Sequence, residues 1–133
     1  FGTREEMEAE IKKAADAGAY GIVISNHGGR VQDQTPAPVE ILEDIANSVK
    51  GKVKIFIDGA IRSGIDIFKC IALGADAALI GRPYAVAVYG GGAKAVEYYT
   101  NMIGEQLRET MMMTGAKNLG EITKSKLFID KHF

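Results

Sequence analysis

The chain has 133 residues, 47% hydrophobic and 25% charged, the profile of an ordinary soluble globular domain with a single core. Sixteen basic against seventeen acidic side chains leave a net charge of −1, which gives no electrostatic basis for a nucleic-acid partner or an anionic membrane surface. No apolar run reaches the ~18 residues of a membrane span, and one cysteine, Cys70, excludes an internal disulfide.

In chain order the pattern alternates helix and strand. Thr3 to Glu6 has the form of a capping box, the threonine hydroxyl accepting from the third backbone N–H while the glutamate reaches back. Met7, Ile11, Ala14 and Ala15 mark a helical stripe that Gly18 can close in a left-handed conformation. Ala19 to Ser25 is short, apolar and uninterrupted, as in a strand buried on both faces. Residues 31–37 read as loop, Pro38 suits a first helical turn, and Ile41, Leu42, Ile45, Ala46 and Val49 form an apolar face ended by Gly51. Val53 to Ile57 is the second strand. Ser63 and Asp66 open another helix in the same capping manner, with Phe68, Ile71 and Ala72 inward and Gly74 at its end. Ala77 to Ile80 is the third strand. A long helix is predicted from about Gly92 to Met113, carrying Val96, Tyr99, Ile103, Leu107, Thr110 and Met111 on one side. Residues 1–115 read as one unit and 116–133 as a tail, with Lys124, Lys126 and Lys131 solvated. Cys70 reads as a buried small hydrophobe, and a reducing, cytoplasmic setting is expected. The absence of an initiator Met leads to the expectation of a missing upstream segment.

Strands joined by helices imply a parallel sheet. Three strands cannot close a barrel, and an open sheet of three would leave two apolar edges unprotected. The α/β class expected is therefore the carboxyl-terminal part of a (β/α)8 barrel, whose complete form needs ~250 residues; an open doubly wound sheet is the alternative.

In either case the chemistry belongs at the carboxyl ends of the strands. After the first come Ser25, Asn26, His27, Gly28, Gly29 and Arg30, an imidazole and a guanidinium three apart on a glycine-softened loop. One can take a proton while the other holds a carboxylate. Asn26 can supply a turn through its side chain. After the second strand come Asp58, Gly59, Ala60, Ile61 and Arg62; after the third, Gly81, Arg82 and Pro83. The two later arginines can pair with phosphate oxygens, and the helix start near Ser63 offers N–H donors to an anion. Asp58 reads as a loop cap or as an acceptor for ligand hydroxyls. Metal binding has no support, with one Cys and His132 in the terminal segment.

The strings Ser25-Asn26-His27-Gly28-Gly29-Arg30, Asp58-Gly59-Ala60-Ile61-Arg62-Ser63-Gly64, Leu73-Gly74-Ala75-Asp76-Ala77 and Ile80-Gly81-Arg82-Pro83-Tyr84 together resemble the FMN-dependent α-hydroxy-acid dehydrogenase/oxidase family. The match runs from about Ala17 to Gly115 and covers only the carboxyl-terminal part of that family's barrel. The first string is highly specific; the second and fourth are also similar to phosphate loops of other flavin and nucleotide barrels.

The resemblance implies oxidation of a small L-2-hydroxy acid, of lactate or glycolate type, to the 2-oxo acid, with FMN as cofactor. It implies His27 as the base for the α-hydroxyl proton and Arg30 as the substrate carboxylate clamp. Ser25 would contact the flavin ring, Asp58 the ribityl chain, and Gly59, Ala60, Arg62, Gly81 and Arg82 the FMN phosphate. A homo-oligomer, or the remainder of the barrel, is the expected protein partner. The sequence departs from the family at Ala60, usually Gly, at Gln32, usually apolar, and around Phe1-Gly2-Thr3, where a lysine is usual. The change at Ala60 is mild; the missing lysine and the short length carry the alternative expectation: a catalytically inactive half-barrel that self-associates and at most binds FMN phosphate.

Overall fold

The computed structural model describes residues 3–49 and 51–129. Phe1, Gly2, Lys131 and His132, which figure in the sequence reading, lie outside them. The order is α1 (Arg4–Asp16), β1 (Gly21–Ile24), α2 (Pro38–Val49), β2 (Lys54–Asp58), α3 (Gly64–Ala72), β3 (Ala77–Leu79) and α4 (Arg82–Thr114).

Local chemistry sets the boundaries. Thr3 Oγ1 accepts from the Glu6 N–H at 3.3 Å and Glu6 Oε2 accepts from the Thr3 N–H at 2.7 Å, so the capping box of α1 is closed. Ser63 and Asp66 repeat it at α3, at 3.2 and 3.0 Å. The last helix starts ten residues before the predicted Gly92. Gly81 caps it and Pro83 lies in its first turn, where a missing N–H costs nothing. The glycines that suggested a start are instead an internal break: Gly91 and Gly92 leave helical geometry.

The three strands are parallel in the order β1-β2-β3, with Ile24 opposite Ile57 and Asp58 opposite Leu79. Ile22, Ile24, Ile55 and Ile57 face the helices and pack with Ile11, Leu42, Ile45, Val49, Ile67 and Cys70. Each such side chain fully buried contributes about 1.5–3 kcal/mol. The other sheet face is open: Val23 is 57% and Leu79 40% exposed. The strand at residues 19–25 is therefore not buried on both faces as the sequence suggested. A doubly wound sheet is also excluded among the described residues, because the helices cover one face only.

A second core joins Phe68 and Ala72 of α3 to Ala116 and Ile122 beyond α4, with Leu107, Met111 and Leu127 packed against them. Two of the expected tail lysines are not simply solvated. Lys124 pairs with Glu43 of α2, and Lys126 Nζ donates to the Thr114 carbonyl at 2.8 Å. No helix among the described residues is long and apolar enough to cross a membrane.

Candidate active site

Immediately after β1 the chain curls back. His27, Gly28 and Gly29 take φ of +56°, +68° and +70°, a left-handed run that two glycines make accessible. Asn26 starts it, its Oδ1 accepting from the Gly28 N–H at 3.1 Å, as its side chain suggested. Ser25 Oγ accepts from the His27 N–H at 3.0 Å and donates to Asp58 Oδ2 at 2.7 Å. One hydroxyl thus ties the His27 backbone to the end of β2 through a charge-assisted bond. Arg30 Nε donates to the His27 carbonyl at 3.3 Å, leaving the outer guanidinium nitrogens free of that contact.

The other two strand ends converge on this turn. Arg82, at the start of α4, lies against Gly28: a Cβ there would sit 3.0 Å from Arg82 Nη2, so a larger residue would push the guanidinium aside. His27, Gly28 and Arg30 from the first loop, Asp58 to Arg62 from the second, and Leu79, Gly81, Arg82 and Pro83 from the third line one cavity of about 240 Å³. Of the residues given a catalytic or binding role in the sequence reading all border it except Ser25, which is bonded to Asp58; Asn26 and Gly29 of the first loop also lie outside its lining. Among the described residues none of Arg30, Arg62 and Arg82 forms an ion pair. Three guanidinium groups against one carboxylate make the cavity attractive to anions even though the chain is nearly neutral.

One expectation fails. The N-terminus of α3 does not offer its first N–H groups to an anion: those of Arg62 and Ser63 both donate to Asp66 Oδ2 at 3.0 Å, and that of Gly64 donates to Gln106 Oε1 at 3.0 Å. The capping residue Asp66 thus takes up the Arg62 and Ser63 donors itself. Positive charge at the cavity therefore comes from side chains. The sequence reading also passed over Gln106 and Tyr99, both on α4, which hold this loop from behind; Tyr99 Oη donates to the Arg62 carbonyl at 2.9 Å. Tyr99 carried a signal only as a member of the apolar stripe, and a stripe does not report what a polar tip meets. Among the described residues no group of three or more His, Cys, Asp or Glu is placed to hold a metal ion.

The family described as FMN-dependent dehydrogenase matches residues 7–129. An L-lactate oxidase of Lactobacillus jensenii is 45% identical over 109 residues, covering 82% of this chain and 27% of that protein. A peroxisomal (S)-2-hydroxyacid oxidase of Arabidopsis thaliana is 39% identical over 113 residues, covering 85% of this chain and 31% of its own. Among solved structures, a mandelate oxidase with benzoyl-formic acid superposes with a TM-score of 0.84 at 39% identity, over 86% of this chain and 34% of that one. The chain thus spans about a third of the length of the curated relatives it matches, and its three parallel strands with their helices are part of a (β/α)8 barrel.

Proposed function

The chain belongs to the FMN-dependent dehydrogenase family, and from that premise we propose that the complete protein oxidises a small L-2-hydroxy acid, of lactate or glycolate type, to the 2-oxo acid. The observation that carries the reading is that His27, Arg30, Arg62 and Arg82 line one cavity at the carboxyl ends of three parallel strands. Among the described residues Arg62 and Arg82 form no ion pair with a carboxylate and so suit a phosphate dianion, and Asp58 suits sugar-like hydroxyls. At about 240 Å³ the cavity is below the ~300–1,000 Å³ of complete small-molecule sites. Its lining would suit the phosphate and ribityl end of FMN.

FMN, when bound, supplies the acceptor for the electron pair of the substrate C–H bond. The residues of this chain position and deprotonate. Arg30 holds the substrate carboxylate through its outer nitrogens, while Nε keeps its bond to the His27 carbonyl, so clamp and base move as one unit. His27 takes the α-hydroxyl proton. Ser25 fixes Asp58 for the ribityl hydroxyls, and Gly59, Ala60 and Gly81 let the phosphate approach the backbone. We take residues 1–115 as the barrel portion and 116–133 as its tail, in a reducing, cytoplasmic setting.

The test is cofactor retention. The protein expressed from its complete reading frame should purify yellow, and Arg82→Ala should lose most of its FMN through gel filtration. Undiminished retention in the variant would remove Arg82 from the phosphate site.

A second reading, an inactive self-associating half-barrel, is supported by the open face of Val23 and Leu79. A complete protein that purifies colourless and fails to take up FMN would favour it.

A further inference from the structure

We propose that Tyr84 and Tyr99 form a positioning pair that sets the spacing of Arg62 and Arg82, and so decides how well a phosphate ester is gripped between them; this rests on the phosphate role given to the two arginines above. Arg62 follows β2 and Arg82 follows β3, both beyond the last paired residues, Asp58 and Leu79, so the sheet sets the two strand ends while the loop of Arg62 and the turn of Arg82 lie outside the ladder. Arg82 is carried by the first turn of α4, and α4 is interrupted at Gly91 and Gly92, whose backbones leave helical geometry. The segment bearing Arg82 is therefore not held rigidly to the rest of the helix by a continuous hydrogen-bond ladder.

The tyrosines bridge that break. Tyr84, two residues after Arg82, donates its N–H to the Gly81 carbonyl at 3.0 Å and so belongs to the same turn. Tyr99 lies beyond the break. Their rings meet edge to face, with centroids 5.3 Å apart and planes at 79°, the arrangement aromatic quadrupoles favour. Tyr84 Oη shares a hydrogen bond with Thr100 Oγ1 at 3.0 Å, and Thr100 Oγ1 donates to the Val96 carbonyl at 2.8 Å, both beyond the break. Tyr99 Oη then donates to the Arg62 carbonyl at 2.9 Å. The Arg62 N–H is taken by Asp66 Oδ2 at 3.0 Å, so the Arg62 backbone is held from both sides while its side chain borders the cavity. One continuous path of contacts thus runs from the Arg82 turn, through the two rings, to the Arg62 loop. Burial, helped by Tyr84 and Asp66 and opposed by Arg62, raises the Tyr99 phenol above its ordinary value.

Tyr99→Phe removes the donor and keeps the ring. In the protein expressed from its complete reading frame and stripped of flavin, its FMN affinity should fall about 3- to 10-fold, the range of one lost hydrogen bond. Affinity for riboflavin, which lacks the phosphate, should be unchanged, and the melting temperature should move by less than ~4 °C. Tyr84→Phe keeps the ring pair and the Arg62 contact but loses the Thr100 bond, so its FMN affinity should also fall, by no more than in Tyr99→Phe, with riboflavin affinity again unchanged. FMN affinity in Tyr99→Phe within about twofold of the parent, or equal losses for FMN and riboflavin, would overturn the positioning role. A parent protein that does not prefer FMN to riboflavin would instead overturn the phosphate reading of Arg62 and Arg82, and the pair with it.

Discussion

Ala60 holds a φ of +57°, a left-handed conformation in which a Cβ crowds the following carbonyl. The sequence marked this position only as a mild departure from the family's glycine, because composition does not reveal a dihedral angle. Ala60→Gly should therefore stabilise the protein by roughly 0.5–1 kcal/mol, the relief of strain exceeding the added unfolded-state entropy. A urea titration with a lowered midpoint would contradict this. The neighbouring Ser25–Asp58 bond was equally invisible, since it joins residues 33 apart in sequence; both side chains were legible as site residues, but not as partners. Arg30 allows a finer test. Its Nε is anchored to the His27 carbonyl, so Arg30→Lys keeps the charge but loses both the anchor and the fork. The Michaelis constant for a 2-hydroxy acid should rise at least ~10-fold with FMN affinity unchanged, as expected when a bidentate clamp becomes a point charge. An unchanged constant would take Arg30 out of that role.

The helices that begin with capping boxes were readable because their signals are local: Thr3 with Glu6, and Ser63 with Asp66, lie within one turn. The start of α4 was not, because Gly90 to Gly92 looked like a boundary, and only the structure shows helix on both sides of it. Gly64 shows a third kind of information. It stands in a string read as a phosphate loop, yet a Cβ there would lie 2.2 Å from the Leu107 nitrogen and 2.4 Å from the Ile103 carbonyl oxygen. Its service is to let α3 cross α4 at backbone contact. Gly64→Ala should cost at least ~1–3 kcal/mol as an overpacking change, read as a lower denaturation midpoint; a midpoint like the parent's would show that the crossing can loosen freely. At the opposite end of the sheet, Asp76 accepts from Lys54 Nζ at 2.7 Å and from the Ile55 N–H at 2.9 Å. Burial opposes its ionisation, but those bonds outweigh it and hold the carboxyl below its ordinary value of 3.8. With the folded value depressed, the stabilisation is complete above that range and is lost as pH falls through it. Parent and Asp76→Asn should accordingly differ in stability at neutral pH and converge in acid. A difference that persists undiminished once the pH is well below the depressed folded value would assign it to something other than this carboxylate.

The molecule as a whole has one finished face and one unfinished. The helices seal Ile22, Ile24, Ile55 and Ile57, while Val23 and Leu79 are open on the other side and the β1 edge borders an apolar groove of about 310 Å³ lined by Met7, Ile11, Ile22 and Ile41. Alternating helix and strand gave the sheet and its parallel sense. The one-sided burial was missed because β1 is apolar at every position, and a run without alternation does not say which face is covered. Expressed alone, the 133 residues should self-associate or bind a hydrophobic dye through this face; a monomer by light scattering with no dye binding would contradict that. Central to the proposed function is the assignment of His27, in the β1 loop, as the proton acceptor beside Arg30. The direct measurement is anaerobic mixing of the FMN-loaded complete protein with lactate or glycolate, following loss of the flavin's yellow colour. The parent should bleach, and His27→Ala, with FMN still bound, should bleach at least ~100-fold more slowly, as expected for a lost general base. Equal bleaching rates in the two proteins would show that the imidazole of His27 does not take the substrate's proton.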